Sequence, residues 1–494
     1  MRGLTQLHED PHLIKWAQTP GGKLAVWVIA AGLLLPSYFS ILFVLFLGLV
    51  MIWPEQRQTI VLLATPLVAL ELFAGPINRL VTYPDALNIV WTVFPAVLTA
   101  LTIVLLCIMA ARNYEVLPRI VQAHPVLTLH LFTLCAIIGY RIAFLGAPDS
   151  AWKVLILGTL PFLVWRCCYI MLSGQRGSAK TSAVTDHLFY ALPVFGGSNV
   201  PFGKGYDYLK RCRATDPEAL ARSQLAGLKL LTLYWLWIAV RKLIRAITYG
   251  DYHGWPGFAE AYGIAGSVNL GIPHLSALVT MSNPASPHIA YAWASLMVAL
   301  IVATLSIAII GHIIIGALRL LGFNVFRNTY KPLLSETIID FWNRFYYYFK
   351  ELLVEFFFYP VYTRYFRSYQ RLRIFAAVFA AACLGNIYYH LLRDSWQLHA
   401  LTLEEIFSRT GSRSFYTVLL AFGVFFSMIA QSRKRGCELA VYQRIPEWAH
   451  RIRRIAGVWL FFSLIHIWNI HSPDANFSTR SAFFFSLFGI DIGY

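Results

Sequence analysis

Charge is what this sequence has least of. Only 13% of its 494 residues are Asp, Glu, Lys or Arg, where a soluble domain carries about a quarter. Acidic residues are the scarcer kind: 24 Asp and Glu stand against 41 Lys and Arg, a net charge of +17. In a soluble protein that excess would raise nucleic acid as a partner. Here the basic residues collect in connecting stretches such as Arg364–Arg373 and Arg433–Arg454, which argues against nucleic acid and suits the cytoplasmic flanks of membrane spans. The seven cysteines (Cys107, Cys135, Cys167, Cys168, Cys212, Cys383 and Cys437) are odd in number, lie mostly in apolar runs and form no C-x-x-C pair. They are expected to be core residues, neither disulfides nor metal ligands. Also missing are a Walker loop, an H-E-x-x-H pair, a serine nucleophile elbow and a dinucleotide fingerprint. No repeat, low-complexity tract or second soluble domain is visible, and nothing suggests a metal or a tightly bound cofactor.

What remains is apolar: 58% of the residues are hydrophobic. A bilayer core needs about 20 such residues in a helix. Ten runs of roughly that size occur, at Leu24–Trp53, Ile60–Gly75, Leu87–Ala111, Val126–Ala147, Trp152–Ser173, Leu225–Ala246, Ile289–Leu321, Leu372–Leu392, Phe415–Ala430 and Ile455–Trp468. The first is longer than a signal-peptide core and is followed by no small-residue cleavage site, so it is expected to stay as a span. The expectation is an all-α, multi-pass protein with about ten or more transmembrane or re-entrant helices, forming one membrane domain over 1–494. Its N-terminal spans would cover 24–147 and its C-terminal spans 415–491.

Two stretches break the pattern. Ala191–Leu209 is apolar but interrupted by Gly and Pro, and irregular backbone at membrane depth must line a cavity or be buried in protein. Asp340–Tyr362 is aromatic-rich and carries Asp340, Arg344, Lys350, Glu351 and Glu355. As a helix it would pair Asp340 with Arg344 at i,i+4 and lie in the membrane interface or dip part-way.

The stretch IIGALRLLGFNVFRNTYKPLLSETIIDFWNRF (Ile314–Phe345) resembles the central signature of bacterial membrane-bound O-acyltransferases, including those of alginate acetylation and teichoic-acid D-alanylation. Gly316, Leu321-Gly322-Phe323, Asn328, Pro332, Ser335, Phe341-Trp342 and Arg344 fall at family-type positions, and Glu355 and Pro360 follow at matching spacing. Upstream, LPFLVWRCCYIMLSGQRG and LFYALPVFGGSNVPFGKGYDYL (Leu160–Gly177 and Leu188–Leu209) resemble the family's span, basic loop and re-entrant segment. Downstream, FAAACLGNIYYHLL (Phe379–Leu392) places His390 where the family carries its catalytic histidine. The resemblance covers about 160–392.

It implies a ring of helices around a central tunnel and transfer of an acyl group from a thioester, either acyl-CoA or an acyl-carrier protein. The acceptor would be a hydroxyl on a glycan, lipid or secondary metabolite. Membrane lipids are the surroundings, and accessory acyl-carrier or extracytoplasmic proteins are implied partners in the cell (inner) membrane. This sequence departs from the family in two places. The second polar active-site position is Tyr346, and the histidine stands in Asn386-Ile387-Tyr388-Tyr389-His390-Leu391 instead of G-x-W-H-G.

The residues support a chemistry of their own. A hydroxyl is a poor nucleophile until a base takes its proton, and imidazole titrates near neutrality. An ionisable group inside an apolar run is a functional candidate, though His130, His312 and His466 share that setting. On a helix Asn386, His390 and Asp394 share one face. Asp394 could then fix the imidazole tautomer, or simply pair with Arg393. Tyr346 could donate to an oxyanion, or be one more packed ring. Asn343 and Asn386 are the alternative amides, while Arg344 and Glu355 read as partners within the signature that help shape the substrate site. A non-catalytic membrane partner that keeps the fold without the chemistry is the rival reading.

Overall fold

The computed structural model describes residues 4–36, 41–80, 86–144, 151–197, 200–251, 269–280, 289–395, 401–433, 446–470, 472 and 475–491. Among them there is no strand, only one isolated antiparallel bridge between Arg213 and Phe323. Six helices are long and apolar enough to cross a membrane: Phe94–Arg112, Pro125–Ile142, Leu157–Gln175, Ile289–Leu320, Gln370–Arg393 and Glu404–Gln431. Among the described residues that is fewer than the ten expected. The run Leu24–Trp53 divides into Pro20–Leu34 and Ile41–Ile52, each too short to span alone, with Pro36 following the first. The run around Leu225–Ala246 becomes Pro217–Tyr249, a 33-residue helix that carries Glu218, Arg222, Lys229, Arg241, Lys242 and Arg245 and is not apolar enough to count.

The chain folds as two compact units, each drawing on three separate segments. The first holds Met1–Tyr234, Gly311–Arg327 and Tyr389–Ala400. Its most buried span is Leu157–Gln175, against which Ala86–Arg112 packs lengthwise. Cβ-less positions allow the close approaches: Gly174 meets the Ala111 backbone, and Gly227 and Gly316 bring the helices Pro217–Tyr249 and Ile289–Leu320 into backbone contact. Small residues at such crossings are how helices associate where lipid removes the hydrophobic drive. The second of those helices ends at Leu320 because Gly322 adopts φ +85°, a left-handed turn closed by hydrogen bonds from Gly322 N to Arg319 O and Phe323 N to Leu318 O. Phe323 then enters a buried cluster with Phe189 and Phe195.

Arg57 clamps this turn from the start of its own helix. Its guanidinium donates to Pro54 O (2.7 Å), Gly322 O (3.1 Å) and Ala214 O (2.9 Å). Burial pushes it down to about 10.

The second unit holds Trp235–Ile310, Asn328–Tyr388 and Leu401–Tyr494. Phe341 stacks on Phe462 at 3.9 Å within a core that includes Leu300, Leu420 and Val458. A second core gathers Leu275, Leu296, Trp468 and Phe483. Arg480, buried, ties the loop before its helix by donating to Ile467 O at 2.7 Å and more distantly to Ser472 O and Ala475 O.

Five of the seven cysteines behave as expected for core or partly buried thiols, but Cys135 is exposed. Cys437 lies outside the described residues.

Candidate functional site

Asp340–Tyr362 is not the single interfacial helix that its charge pattern predicts. It forms Ile338–Phe345, Tyr347–Leu353, a π-helical turn Val354–Phe358 and Tyr359–Arg364, with Phe341, Tyr346, Tyr348, Phe349 and Phe356 buried. Thr337 caps the first piece by accepting Asp340 N at 3.1 Å. The break falls at Tyr346, whose backbone (φ −144°, ψ 68°) is not helical. Asn328 takes up the freed donors: its carbonyl accepts Tyr347 N (2.9 Å) and its side chain accepts Tyr348 N (3.3 Å). Thr329 Oγ1 donates to Phe345 O at 2.9 Å, and Tyr330 N donates to Arg344 O at 2.7 Å. The chain before the helix thus repairs the interruption that Tyr346 makes. The π turn has a local cause too, since Pro360 has no N–H to offer the Phe356 carbonyl.

Of the sequence-selected residues, Asn343, Arg344, Tyr346, Glu355 and Asn386 belong to the second unit. Arg344 Nε donates to Asp340 Oδ1 at 2.8 Å, the i,i+4 pair that the spacing predicts. Asn343, on the same helix, is exposed, so it presents its amide to the surroundings and not to the core. Tyr346 is buried with its ring 5.2 Å from Phe349. Glu355 is half-buried inside the π turn. Asn386 is 2% exposed, and its Oδ1 receives no hydrogen bond. It follows directly on a second π-helical stretch, Ala380–Gly385, and Gly385 lies so close to the Phe357 ring that a Cβ would stand 2.7 Å from it. The two π turns therefore pack on each other, with Glu355 in one and Asn386 at the end of the other.

His390 and Asp394 belong to the first unit. The helix Asn386–Arg393 carries Asn386 and His390 one turn apart, and Asp394 N bonds His390 O at 2.9 Å just past its end. Asp394 holds Arg393 in a two-pronged ion pair at 2.7 and 3.0 Å. Beside His390, the fully buried Tyr389 ring stacks 6.0 Å from Trp165 of the Leu157–Gln175 span. Ser395 donates to Leu157 O at 3.3 Å, the carbonyl left without its helical partner by Pro161. These contacts fix the histidine-bearing segment along the most buried helix of its unit.

Three polar groups escaped the sequence reading. Arg166, on that same helix, is 2% exposed and its Nη1 has no hydrogen-bond partner. Its place in an apolar run was the available signal. His187 is buried with both ring nitrogens unpartnered, 5.6 Å from the Tyr206 ring. Burial, chiefly, lowers its pKa below the usual histidine value, and Arg112 adds to that while Asp186 and Asp207 oppose it. Arg57 is the third. In the stretch Ala191–Leu209 the backbone is broken as expected, with a 3₁₀ turn Pro193–Phe195 and the start of a helix at Tyr206, and with Phe195, Val200 and Phe202 buried. Ser198 and Asn199 at its centre lie outside the described residues.

No protein-family model matches the chain, and no curated protein matches it.

Proposed function

We propose that the chain is a membrane-bound O-acyltransferase of the cell (inner) membrane with His390 as its general base. The observation that best supports this reading is that four of the signature residues have a defined physical task. Gly316 admits a helix, Gly322 makes a left-handed turn, Asn328 repairs the break at Tyr346, and Phe341 stacks on Phe462.

In the proposed reaction the acceptor hydroxyl gives its proton to the His390 imidazole as its oxygen attacks the thioester carbonyl carbon. The tetrahedral oxyanion collapses, the carbon–sulfur bond breaks, and the leaving thiolate takes the proton back from the imidazolium. An ester and a free thiol result, and the histidine returns to its neutral form. Tyr346 is assigned as donor to the oxyanion, and the buried Asn386 amide, with its unfilled acceptor, as the group that holds the acceptor hydroxyl. Acyl-CoA or an acyl-carrier protein supplies the thioester.

The test uses the full chain in nanodiscs, with acetyl-CoA and an acyl-carrier thioester as donors and a panel of glycan and lipid hydroxyls as acceptors. Thiol release should require an acceptor. His390→Ala should abolish it while the protein remains in the membrane at the parent's abundance. Full turnover by that variant would remove His390 from the reaction. No thiol release by the parent with any pair would instead favour the non-catalytic membrane partner.

A further inference from the structure

We propose that Arg166 is the cation of a carboxylate-binding site inside the first unit. Arg166 lies nine residues from either end of the Leu157–Gln175 span, roughly 13 Å of helix in each direction. Its guanidinium sits among three rings, 5.2 Å from the Phe162 centroid, 4.9 Å from Tyr190 and 5.6 Å from Phe202. The Tyr190 side chain also hydrogen-bonds it, and a long bond of 3.4 Å runs from Nη2 to Gly196 O. That carbonyl is presented by a glycine at φ +103°, where a Cβ would strike Val200 O at 2.3 Å, so the hook is specific to glycine. Among the described residues no acidic side chain pairs with Arg166, and the ionisable groups that face it are Tyr190 and Tyr169.

A buried guanidinium held by rings, a neutral tyrosine and one weak carbonyl is short of a counter-charge. Aromatic faces attract a cation without neutralising it, and a buried charge is normally paired. The vacant Nη1, next to the weakly used Nη2, offers the side of the fork that a carboxylate grips with both oxygens. One guanidinium with no second cation beside it among the described residues balances one negative charge, which favours a carboxylate over a dianionic phosphate. Two sources share that chemistry, a small hydrophilic acid and a fatty acid, and the ring-lined setting admits either. The neighbouring Trp165 stacks on Tyr389, which precedes His390, so the carboxylate site and the histidine lie on adjoining stretches of one unit. That the bound carboxylate belongs to an acyl-transfer substrate rests on the function proposed above. That the site binds a carboxylate does not.

The experiment is thermal unfolding of the full chain in nanodiscs with two probes, each beside an uncharged control: monomethyl succinate with dimethyl succinate, and decanoate with decanol. A ligand that binds only the folded state raises the melting temperature with its concentration. The parent should respond to at least one carboxylate and to neither control, and the responding probe identifies the source. Arg166→Met should lose the response by about tenfold or more in apparent affinity. Arg166→Lys keeps the charge and should retain part of it, which preserves the test if the methionine variant does not fold. An equal response in Arg166→Met, or no response of the parent to either acid, would overturn the proposal and leave Nη1 to water. Thioester consumption plays no part in this readout, so failure of the acyltransferase reading would leave the binding result intact.

Discussion

Replacing Arg57 by methionine tests how the first unit is held together. The guanidinium contacts three carbonyls, but they do not depend on it equally. Pro54 O also accepts the Arg57 backbone N–H, and Gly322 O also accepts Ala214 N at 2.9 Å. Only Ala214 O is left without a donor when the side chain goes. One orphaned buried carbonyl costs about 1–3 kcal/mol. Against this, methionine does not have to be desolvated as a charge, whereas burial works against the guanidinium and lowers its pKa. The net loss is set at about 2 kcal/mol, well below what three charged hydrogen bonds would sum to. For a unit of this size that corresponds to a fall of about 4–8 °C in melting temperature. The assay is intrinsic-fluorescence unfolding of detergent-purified protein, with Arg57→Lys alongside. Lysine can reach a single carbonyl and should fall between parent and methionine. A methionine variant melting within about 1 °C of the parent would refute the reasoning, because Ala214 O would then have to be satisfied without Arg57.

Two further outcomes follow from the site. His187 is buried with a lowered pKa, so the unfolded chain takes up its proton at a higher pH than the folded one does. Its contribution is intact above the unfolded value near 6.5 and is lost as pH falls below it. Unfolding temperatures measured from pH 7.5 down to 5.0 should therefore decline less steeply in His187→Phe than in the parent, and parallel profiles would remove His187 from the acid response. Tyr346→Phe deletes one hydroxyl and little packing. If Tyr346 donates to the oxyanion, thiol release should slow by roughly 10²–10³-fold, whereas parent-like turnover would reduce Tyr346 to a packed ring and bring Asn386 forward.

Much of the helical content was legible, because a run of some twenty apolar residues has few alternatives to a buried or membrane helix. So was the Asp340–Arg344 pair, which depends only on local spacing. Three things were not legible, two because they depend on residues distant in sequence and one because hydropathy averages over a local break. The break at Tyr346 exists because Asn328 and Thr329, some twenty positions earlier, supply the missing hydrogen bonds. Division of Leu24–Trp53 into two short helices cannot be read from hydropathy, which averages across Pro36. Burial of Arg166 depends on Gly196 and Phe202 folding back over its helix, so counting charges along the span identifies the arginine but not the absence of an acidic partner among the described residues.

The π turns carry the same lesson into the proposed chemistry. A π turn adds a residue to the helix and rotates everything after it, at the expense of regular i to i−4 bonding. Over Ala380–Gly385 this happens immediately before Asn386 and His390, so the face they present is displaced from the one that a regular continuation of Gln370–Phe379 would give. The irregularity is supported by contact: Gly385 seats against Phe357, which lies in the other π turn beside Glu355. A periodicity argument still places Asn386 and His390 one turn apart, since both come after the insertion, whereas Asp394 lies past the helix end and pairs with Arg393. The same argument carried back to residue 370 fails, because it assumes one continuous 3.6-residue repeat. Two helices that both give up regular bonding where they meet, one just before the proposed base, are better explained as holding side chains in position than as faults in packing.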